Sequence, residues 1–177
     1  MRIKVVSGDI SDQDVDAIIV NLFEEVKVPG GSTGVIDKAL GGLITNLIGD
    51  GEIRGKESEI TLIHTNGKIK PVRVVVVGLG NKTKFTVDVV RSVSGNVCRY
   101  LANRSIKNVA SVVHGGGIGG LNPPDCAKAI TEGAILGLYK FDKLAFVHGT
   151  SQSFDFFYAA NKDRRMRCFK GEFIYHE

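Results

Sequence analysis

Short apolar runs alternate with amphipathic stretches along the chain, which predicts alternating strands and helices. β-Branched runs bounded by polar turns are typical of strands, whereas apolar residues that recur every three or four positions mark one face of a helix. The strand pattern occurs at residues 3–6, 17–22, 59–64, 72–78, 108–113 and 144–147. The helical pattern occurs at 33–48, 86–103 and 123–138, and Ser151 or Ser153 could cap a further short helix through Ala160.

The order of these elements favours an α/β layer structure with a sheet in the middle and helices on both faces. Residues 72–78 are apolar at nearly every position, as expected of a central strand covered on both faces. In the first helix, Gly41 and Gly42 each cost about 1 kcal/mol relative to alanine, which predicts that another backbone packs closely there. In such sheets, ligands usually bind beyond the carboxyl ends of strands.

The composition is that of a globular protein with a substantial core. The 177 residues are 43% hydrophobic and 24% charged, which excludes disorder and coiled coil and leaves room for one domain. The net charge of +4 is a mild basic excess, and nucleic acid is not expected as a partner. No apolar stretch is long enough to cross a bilayer, and the chain has no signal-peptide pattern at its start, so we expect a cytoplasmic protein with no membrane partner.

The three cysteines are an odd number at wide spacing, and no CxxC pair is present. A zinc site and a disulfide framework are therefore not expected, and buried thiols are the favoured interpretation.

Two stretches resemble known families. The segment ALGGLITNLIGDGEIRGKESEITLIHTNGKIKPVRVVVVGLG and the later EGAILGLYKFD are similar to the N-terminal domain of the leucyl aminopeptidase family, over roughly Val15 to Asp142. This resemblance implies a macro-domain-like fold, a three-layer α/β/α sandwich with a mixed central sheet. The opening VVSGDISDQDVDAIIVN is similar to ADP-ribose-binding macro domains, which begin with a Gly-Asp-Ile turn. We therefore expect a single domain over residues 1–161, followed by a basic tail at 162–177.

The resemblance to the aminopeptidases does not extend to their metal chemistry. The family builds its two-metal site from segments of the form GKGxTFDSGG and NTDAEGRL, and neither occurs in this sequence. Metal-assisted hydrolysis needs clustered ligands that hold the cations and activate water. We therefore expect no catalytic residue, no metal ligand and no cofactor. The family role that remains is regulatory or in assembly, with an aminopeptidase catalytic domain or further copies of this chain as partners.

Two glycine-rich segments are the best candidates for a ligand site. Glycines let several backbone N–H groups approach a phosphate, and a following helix adds its dipole. The ADP-ribose-binding macro domains use loops at these two places for the pyrophosphate and the Asp of the Gly-Asp-Ile turn for adenine, which implies a nucleotide-diphosphate ligand. The expected ligand-binding residues are Asp9, Ile10, Gly30, Gly31, Ser32, Gly34, Gly115, Gly116, Gly117 and Gly119.

One departure from the macro-domain pattern puts binding of the distal ribose in question. The Asn-Ala-Ala-Asn segment that follows the second strand in those domains is replaced here by Val20-Asn21-Leu22-Phe23. The alternative interpretation is that the glycines serve only as tight turns and that Asp9 caps a local turn.

Other patterns stay open as weaker alternatives. Gly30 to Gly34 fits GxSxG with Ser32 as a nucleophile, although no strand runs straight into it. Gly115, Gly117 and Gly120 fit GxGxxG, but a dinucleotide fingerprint normally lies in the first βα turn. His114 is interpreted as a hydrogen-bonded structural residue. A basic patch at 164–170 is interpreted as a solvated tail.

Overall fold

A computed structural model describes residues 2–117 and 119–139, together with the backbone of residues 155–160. Over these ranges the chain forms six strands and four α-helices. The strands are β1 (Arg2–Ser7), β2 (Ala17–Leu22), β3 (Ile60–His64), β4 (Arg73–Gly78), β5 (Asn108–Ser111) and β6 (Asp155–Ala160). The helices are α1 (Gly31–Ala39), α2 (Leu43–Gly49), α3 (Val87–Ala102) and α4 (Pro123–Leu138). None of the helices in these ranges has both the length and the hydropathy that a membrane span requires.

The strands form one mixed sheet in the order β1-β6-β5-β2-β4-β3. β1, β6, β5, β2 and β4 run parallel to one another, and β3 pairs antiparallel to β4 at the edge. Ile19 of β2 lies opposite Val75 of β4 and Ser111 of β5. The predicted central strand is confirmed, because β4 lies inside the sheet and Val74 to Val77 are at most 1% exposed.

Helices cover both faces of the sheet, which confirms the predicted three-layer α/β/α sandwich. Side chains of a strand alternate between faces, and Ile19 accordingly lies in the core beneath α3 and α4, while Ile18 and Val20 lie in the core beneath α1 and α2. All three side chains are fully buried. Thr86 accepts a hydrogen bond from the Val89 N–H and caps α3 as predicted.

The single helix predicted at 33–48 is divided into α1 and α2. Gly41 and Gly42 form the break, with φ values of 77° and 81° in the left-handed region that favours glycine. A Cβ at Gly42 would meet nothing within 4 Å, and one at Gly41 would meet only the end of the Lys68 side chain. The prediction of a closely packed backbone here was therefore wrong, because the glycines serve the turn instead.

The side chain of Asp37 caps the start of α2, directly after this break. Its buried carboxylate accepts hydrogen bonds from the backbone N–H groups of Ile44 (2.7 Å) and Thr45 (3.1 Å), in the first turn of α2. Such acceptors satisfy donors that a helix start leaves without intrahelical partners. At the start of α1 the N-cap is Gly30 rather than the predicted Thr33.

The prediction of a short helix from Ser151 or Ser153 to Ala160 was wrong. Residues Asp155–Ala160 form β6, which pairs in parallel with β1 on one side and β5 on the other. Consecutive Phe-Phe-Tyr residues favour a pleated strand, and two neighbouring strands supply backbone partners that no local signal reveals. The predicted strand at 144–147 and the predicted basic tail at 162–177 lie outside the described residues.

Helices α3 and α4 approach each other backbone to backbone at three glycines. Gly95 of α3 faces Gly133 and Gly137 of α4. A Cβ added at Gly133 would lie well inside 3.0 Å of the Arg91 carbonyl oxygen, a separation that real Cβ atoms essentially never show. These glycines therefore permit the two helices to cross closely, and any larger residue at these positions would push the helices apart.

Cys98 and Cys126 are buried free thiols, as predicted for these two positions. Burial raises the pKa of the Cys98 thiol to about 12. Burial and the nearby Asp125 carboxylate raise the pKa of the Cys126 thiol to about 11. Both thiols are therefore protonated at neutral pH and unreactive as nucleophiles. Cys168 lies outside the described residues.

Candidate functional site

The predicted ligand-binding segments follow the carboxyl ends of three parallel strands. Asp9 comes after β1, the first glycine loop (residues 29–34) follows β2, and the second glycine loop (residues 115–120) follows β5. Because β5 pairs directly with β2, the two glycine loops are adjacent at one edge of the sheet, where α/β proteins generally bind ligands. β6 separates β5 from β1 in the strand order. Asp9, which follows β1, therefore lies at the same end of the sheet but two strands away from β5.

Asp9 and Ile10, the first two predicted site residues, belong to a short turn that the Asp9 side chain caps. The Asp9 carboxylate accepts hydrogen bonds from the Ser11 N–H (2.9 Å) and the Ser11 hydroxyl (2.7 Å), both at Oδ1. The side chain of Asp9 is exposed, which leaves Oδ2 open to solvent. Ile10 is only 5% exposed and packs into the core on the α1 and α2 face. Of Ile10, only the backbone is therefore placed to meet a ligand.

The first glycine loop leads directly into α1. Gly30 is the N-cap and Gly31, with a φ of 55°, is the first helical residue. The N–H groups of this first turn have no intrahelical partner and lie at the positive end of the helix dipole. A Cβ at Gly34 would lie 2.5 Å from the carbonyl oxygen of Pro29, so the loop requires glycine there for close approach. The Thr33 hydroxyl donates to the carbonyl oxygen of Asn21 (2.7 Å) and ties α1 to β2.

The described residues of the second glycine loop, 115–117 and 119–120, pack over an aromatic ring. Gly115 has a φ of 84°, and a Cβ at Gly115 or Gly119 would lie 2.6 Å from the Phe85 ring. Phe85 itself packs edge-on against Phe23 with ring centroids 4.8 Å apart. Gly117 is exposed, and a Cβ there would meet nothing within 4 Å. The loop therefore rests on Phe85 and presents Gly117 to solvent.

His114, immediately before the second glycine loop, is fully buried and hydrogen-bonded, as predicted for a structural residue. Its Nδ1 lies 3.0 Å from the side-chain nitrogen of Asn21, and its Nε2 lies 3.2 Å from the hydroxyl of Ser111. Burial lowers the pKa of His114 from its usual value near 6.5 to about 4. The imidazole is therefore neutral at physiological pH.

The geometry around Ser32 does not match a nucleophile elbow. Residues 23–30 separate the end of β2 from the start of α1, whereas an elbow requires a strand that turns directly into a helix. Among the residues that the structure describes, no hydrogen bond joins the Ser32 hydroxyl to a histidine. The match to GxSxG therefore gains no catalytic partner from this part of the fold.

Two residues that organise the site were missed from the sequence. Asn21 contacts Thr33 of the first loop through its backbone and His114, the residue before the second loop, through its side chain, and Phe85 supports the second loop. A signal for Asn21 was present, since it is the one polar residue in the run AIIVNL of β2. Phe85 gave no signal, because its partners lie some thirty residues later in the chain and meet it only through the tertiary fold.

A cavity of about 420 Å³ lies apart from the glycine loops. Its walls carry acidic, basic and apolar side chains from the segment after β2, from α2 and from the segment before β3. The lining residues are Glu24, Glu25, Val26, Lys27, Ile48, Gly51, Ile53, Arg54 and Lys56. None of the predicted ligand-binding residues lines it, so it is a feature separate from the predicted site.

The structure describes the side chains of residues 2–117 and 119–139. Within these ranges, no group of three or more His, Cys, Asp or Glu side chains is arranged to hold a metal ion. The described part of the fold therefore offers backbone donors at the glycine loops rather than a metal centre.

Comparison with known sequences places most of the chain within one family. The model of the cytosol aminopeptidase family, N-terminal domain, matches residues 19–145. A probable cytosol aminopeptidase of Alkaliphilus metalliredigens is 34% identical over 80% of this chain, and one of Geobacter sulfurreducens is 33% identical over 85%. The match covers 28% and 30% of those two proteins, so the chain spans less than a third of the length of the curated relatives it matches.

Comparison with solved structures supports the same fold. The macrodomain of Mycobacterium tuberculosis DarG aligns with a TM-score of 0.68 and 16% identity, covering 90% of this chain and 98% of that one. A mutant of tomato leucine aminopeptidase aligns with a TM-score of 0.69 and 16% identity, over 89% of this chain and 32% of that one. A Trypanosoma brucei macrodomain in complex with ADP-ribose aligns with a TM-score of 0.68 and 17% identity, covering 91% of this chain and 65% of that one. The fold is therefore macro-domain-like, as the sequence predicted.

Proposed function

Because this chain belongs to the cytosol aminopeptidase family and corresponds to its N-terminal domain, with a macro-domain-like fold, we propose that it acts as a non-catalytic accessory domain. In this role it regulates or assembles an aminopeptidase and supplies none of the metal ligands. The observation that carries the proposal is the family match, in which residues 19–145 correspond to the N-terminal domain of the family.

Two features of the chain support this role. The segments with which the leucyl aminopeptidase family builds its two-metal site do not occur in the sequence. Water activation by two cations requires several carboxylates held a few ångströms apart, and the described residues form no such cluster. The strongest local features are instead backbone-rich loops, which suit binding rather than hydrolysis.

Purified chain is expected not to hydrolyse leucine p-nitroanilide or a leucyl dipeptide, with or without added Mn²⁺ or Zn²⁺. The physical reason is that no bound water would be polarised by a metal pair. Release of p-nitroaniline is measured by absorbance in the presence and absence of EDTA. Turnover of either kind would contradict the accessory role: turnover that disappears with EDTA would indicate a metal site, and EDTA-insensitive turnover would indicate a catalytic site without a metal.

A second function, favoured by the geometry of the glycine loops, is the binding of a nucleotide diphosphate such as ADP-ribose. The two glycine loops follow the neighbouring parallel strands β2 and β5, and the first of them begins helix α1. Glycine loops of this kind can bring backbone N–H groups close to a bound anion. Such groups stabilise phosphate oxygens without a charged side chain. The predicted contact residues on these loops are Gly30, Gly31, Ser32, Gly34, Gly115, Gly116, Gly117 and Gly119.

Asp9 supports this second function through its position and its exposure. Its carboxylate has one oxygen engaged by Ser11 and one facing solvent, so it can still accept a hydrogen bond from an exocyclic amine such as that of adenine. The two functions are compatible, because an accessory domain that binds a nucleotide can transmit its presence to a partner.

A further inference from the structure

Asn21 of β2 forms hydrogen bonds with Thr33 in the first glycine loop and with His114, next to the second. Its side-chain nitrogen lies 3.0 Å from Nδ1 of His114, the residue immediately before Gly115. Its backbone carbonyl accepts the hydroxyl of Thr33, in the first turn of α1, at 2.7 Å. One residue of β2 therefore contacts the entry of one loop and the helix that the other loop begins.

The Asn21 amide, with its nitrogen towards His114, sets the direction of the hydrogen bonds around the ring. A side-chain amide nitrogen only donates, so Nδ1 of His114 accepts from Asn21 and carries no proton. The ring is buried and neutral, so its proton is on Nε2, which donates to the Ser111 hydroxyl at 3.2 Å. That hydroxyl donates in turn to the carbonyl oxygen of Val112 at 2.9 Å. Both ring nitrogens of His114 and the Ser111 hydroxyl therefore have partners, as buried polar groups generally require.

We propose that Asn21 is a positioning residue that couples the two glycine loops, holding His114 as the Nε2-protonated tautomer with its side chain and holding α1 with its backbone. The coupling fixes the spacing between two clusters of backbone donors. A diphosphate suits such a site because its two phosphoryl groups can each meet one cluster, and a preformed site binds without the cost of ordering the loops. The choice of a diphosphate as ligand rests on the proposed nucleotide-binding function, whereas the coupling of the loops by Asn21 does not.

The tautomer is tested first in the free protein, by ¹⁵N NMR of the histidine rings. In the wild type, His114 is expected to show an unprotonated Nδ1 and a protonated Nε2. Asn21→Asp replaces the donor by an acceptor, so Nδ1 of His114 is expected to become protonated. His64, an exposed residue at the end of β3, serves as the internal control and should not change. A wild-type ring protonated at Nδ1 would overturn the proposal.

The coupling is tested with a pair of variants that keeps Asn21 intact. Thr33→Val removes the hydroxyl that contacts Asn21, whereas Thr33→Ser retains it. Thr33→Val is expected to shift the backbone amide resonances of Gly115 to Gly117 in the other loop, and Thr33→Ser is expected to restore them. Thr83→Val is the control, because Thr83 donates to Asn81 in an exposed turn. Shifts confined to α1 in Thr33→Val would overturn the coupling.

The same variants separate this proposal from the nucleotide-binding function. If the wild type binds ADP-ribose, Thr33→Val should weaken binding about fivefold, as expected for a lost hydrogen bond, and Thr33→Ser should not. An unchanged affinity in Thr33→Val would contradict the role of Asn21 in the site. If the wild type does not bind ADP-ribose, the nucleotide-binding function fails, while the ring and amide resonances still decide whether Asn21 couples the loops.

Discussion

Gly133→Ala is expected to lower the free energy of unfolding by about 3 kcal/mol, although alanine favours a helix by about 1 kcal/mol relative to glycine. The new Cβ would collide with the Arg91 carbonyl oxygen of α3 and would lie 3.1 Å from the Ser94 Cβ. A backbone oxygen inside a helix cannot rotate away, so α3 and α4 must separate and lose contact across the core that they cover. Urea unfolding measures the loss as a lower midpoint.

Gly49→Ala is the matched control for this substitution. Gly49 ends α2, and a Cβ there would meet nothing within 4 Å. This variant is expected to be as stable as the wild type or up to about 1 kcal/mol more stable, since alanine restricts the unfolded chain. If Gly133→Ala behaved like Gly49→Ala, the close crossing of α3 and α4 would be contradicted.

The stability of the fold is expected to decrease as the pH falls from about 6.5 to about 4, because His114 must become protonated when the chain unfolds. Burial lowers the pKa of His114 to about 4, so between these pH values the unfolded chain binds a proton that the folded chain does not. Stability then rises with pH across this interval and is fully present above it. Across this interval the free energy of unfolding is expected to change by about 3 kcal/mol. Urea unfolding at several pH values measures this change.

Two histidine variants isolate this contribution from that of the carboxylates. His114→Gln removes the titrating ring, so its unfolding free energy should vary less with pH than that of the wild type between pH 4 and 6.5. His64→Gln removes an exposed ring and should retain the pH dependence of the wild type. Equal pH dependence in the wild type and His114→Gln would contradict the buried, neutral state of His114.

The layers of the fold could be predicted because local pattern and tertiary environment agree. β4 reads as an apolar run and lies inside the sheet, and the stripe of Val90, Val93, Val97 and Leu101 on α3 is fully buried. The placement of both glycine loops at one sheet edge followed from the same logic, because parallel strands present their carboxyl ends together. Periodicity therefore predicted the layers and the strand ends, whereas the candidate site there remains a prediction from the glycine-rich segments.

The parts that could not be predicted depend on contacts between distant segments. β6 is a strand because β1 and β5 lie on either side of it, and the serines before Asp155 gave a local signal of a helix start that competed with the strand preference of the aromatic residues. Gly41 and Gly42 gave a correct indication of something unusual, but their φ angles, and not a neighbouring backbone, explain them. His114 and Asn21 are 93 positions apart, so their pairing is invisible to any local pattern.

The proposed nucleotide-binding function requires that the two glycine loops form one binding site. Calorimetric titration of the purified chain with ADP-ribose tests this most directly. We predict saturable binding at one site per chain, abolished by Gly117→Glu, which places a carboxylate where phosphate oxygens would lie, and unchanged by His64→Gln. Absence of heat and of a thermal shift with millimolar ADP-ribose, or binding that survives Gly117→Glu, would contradict it.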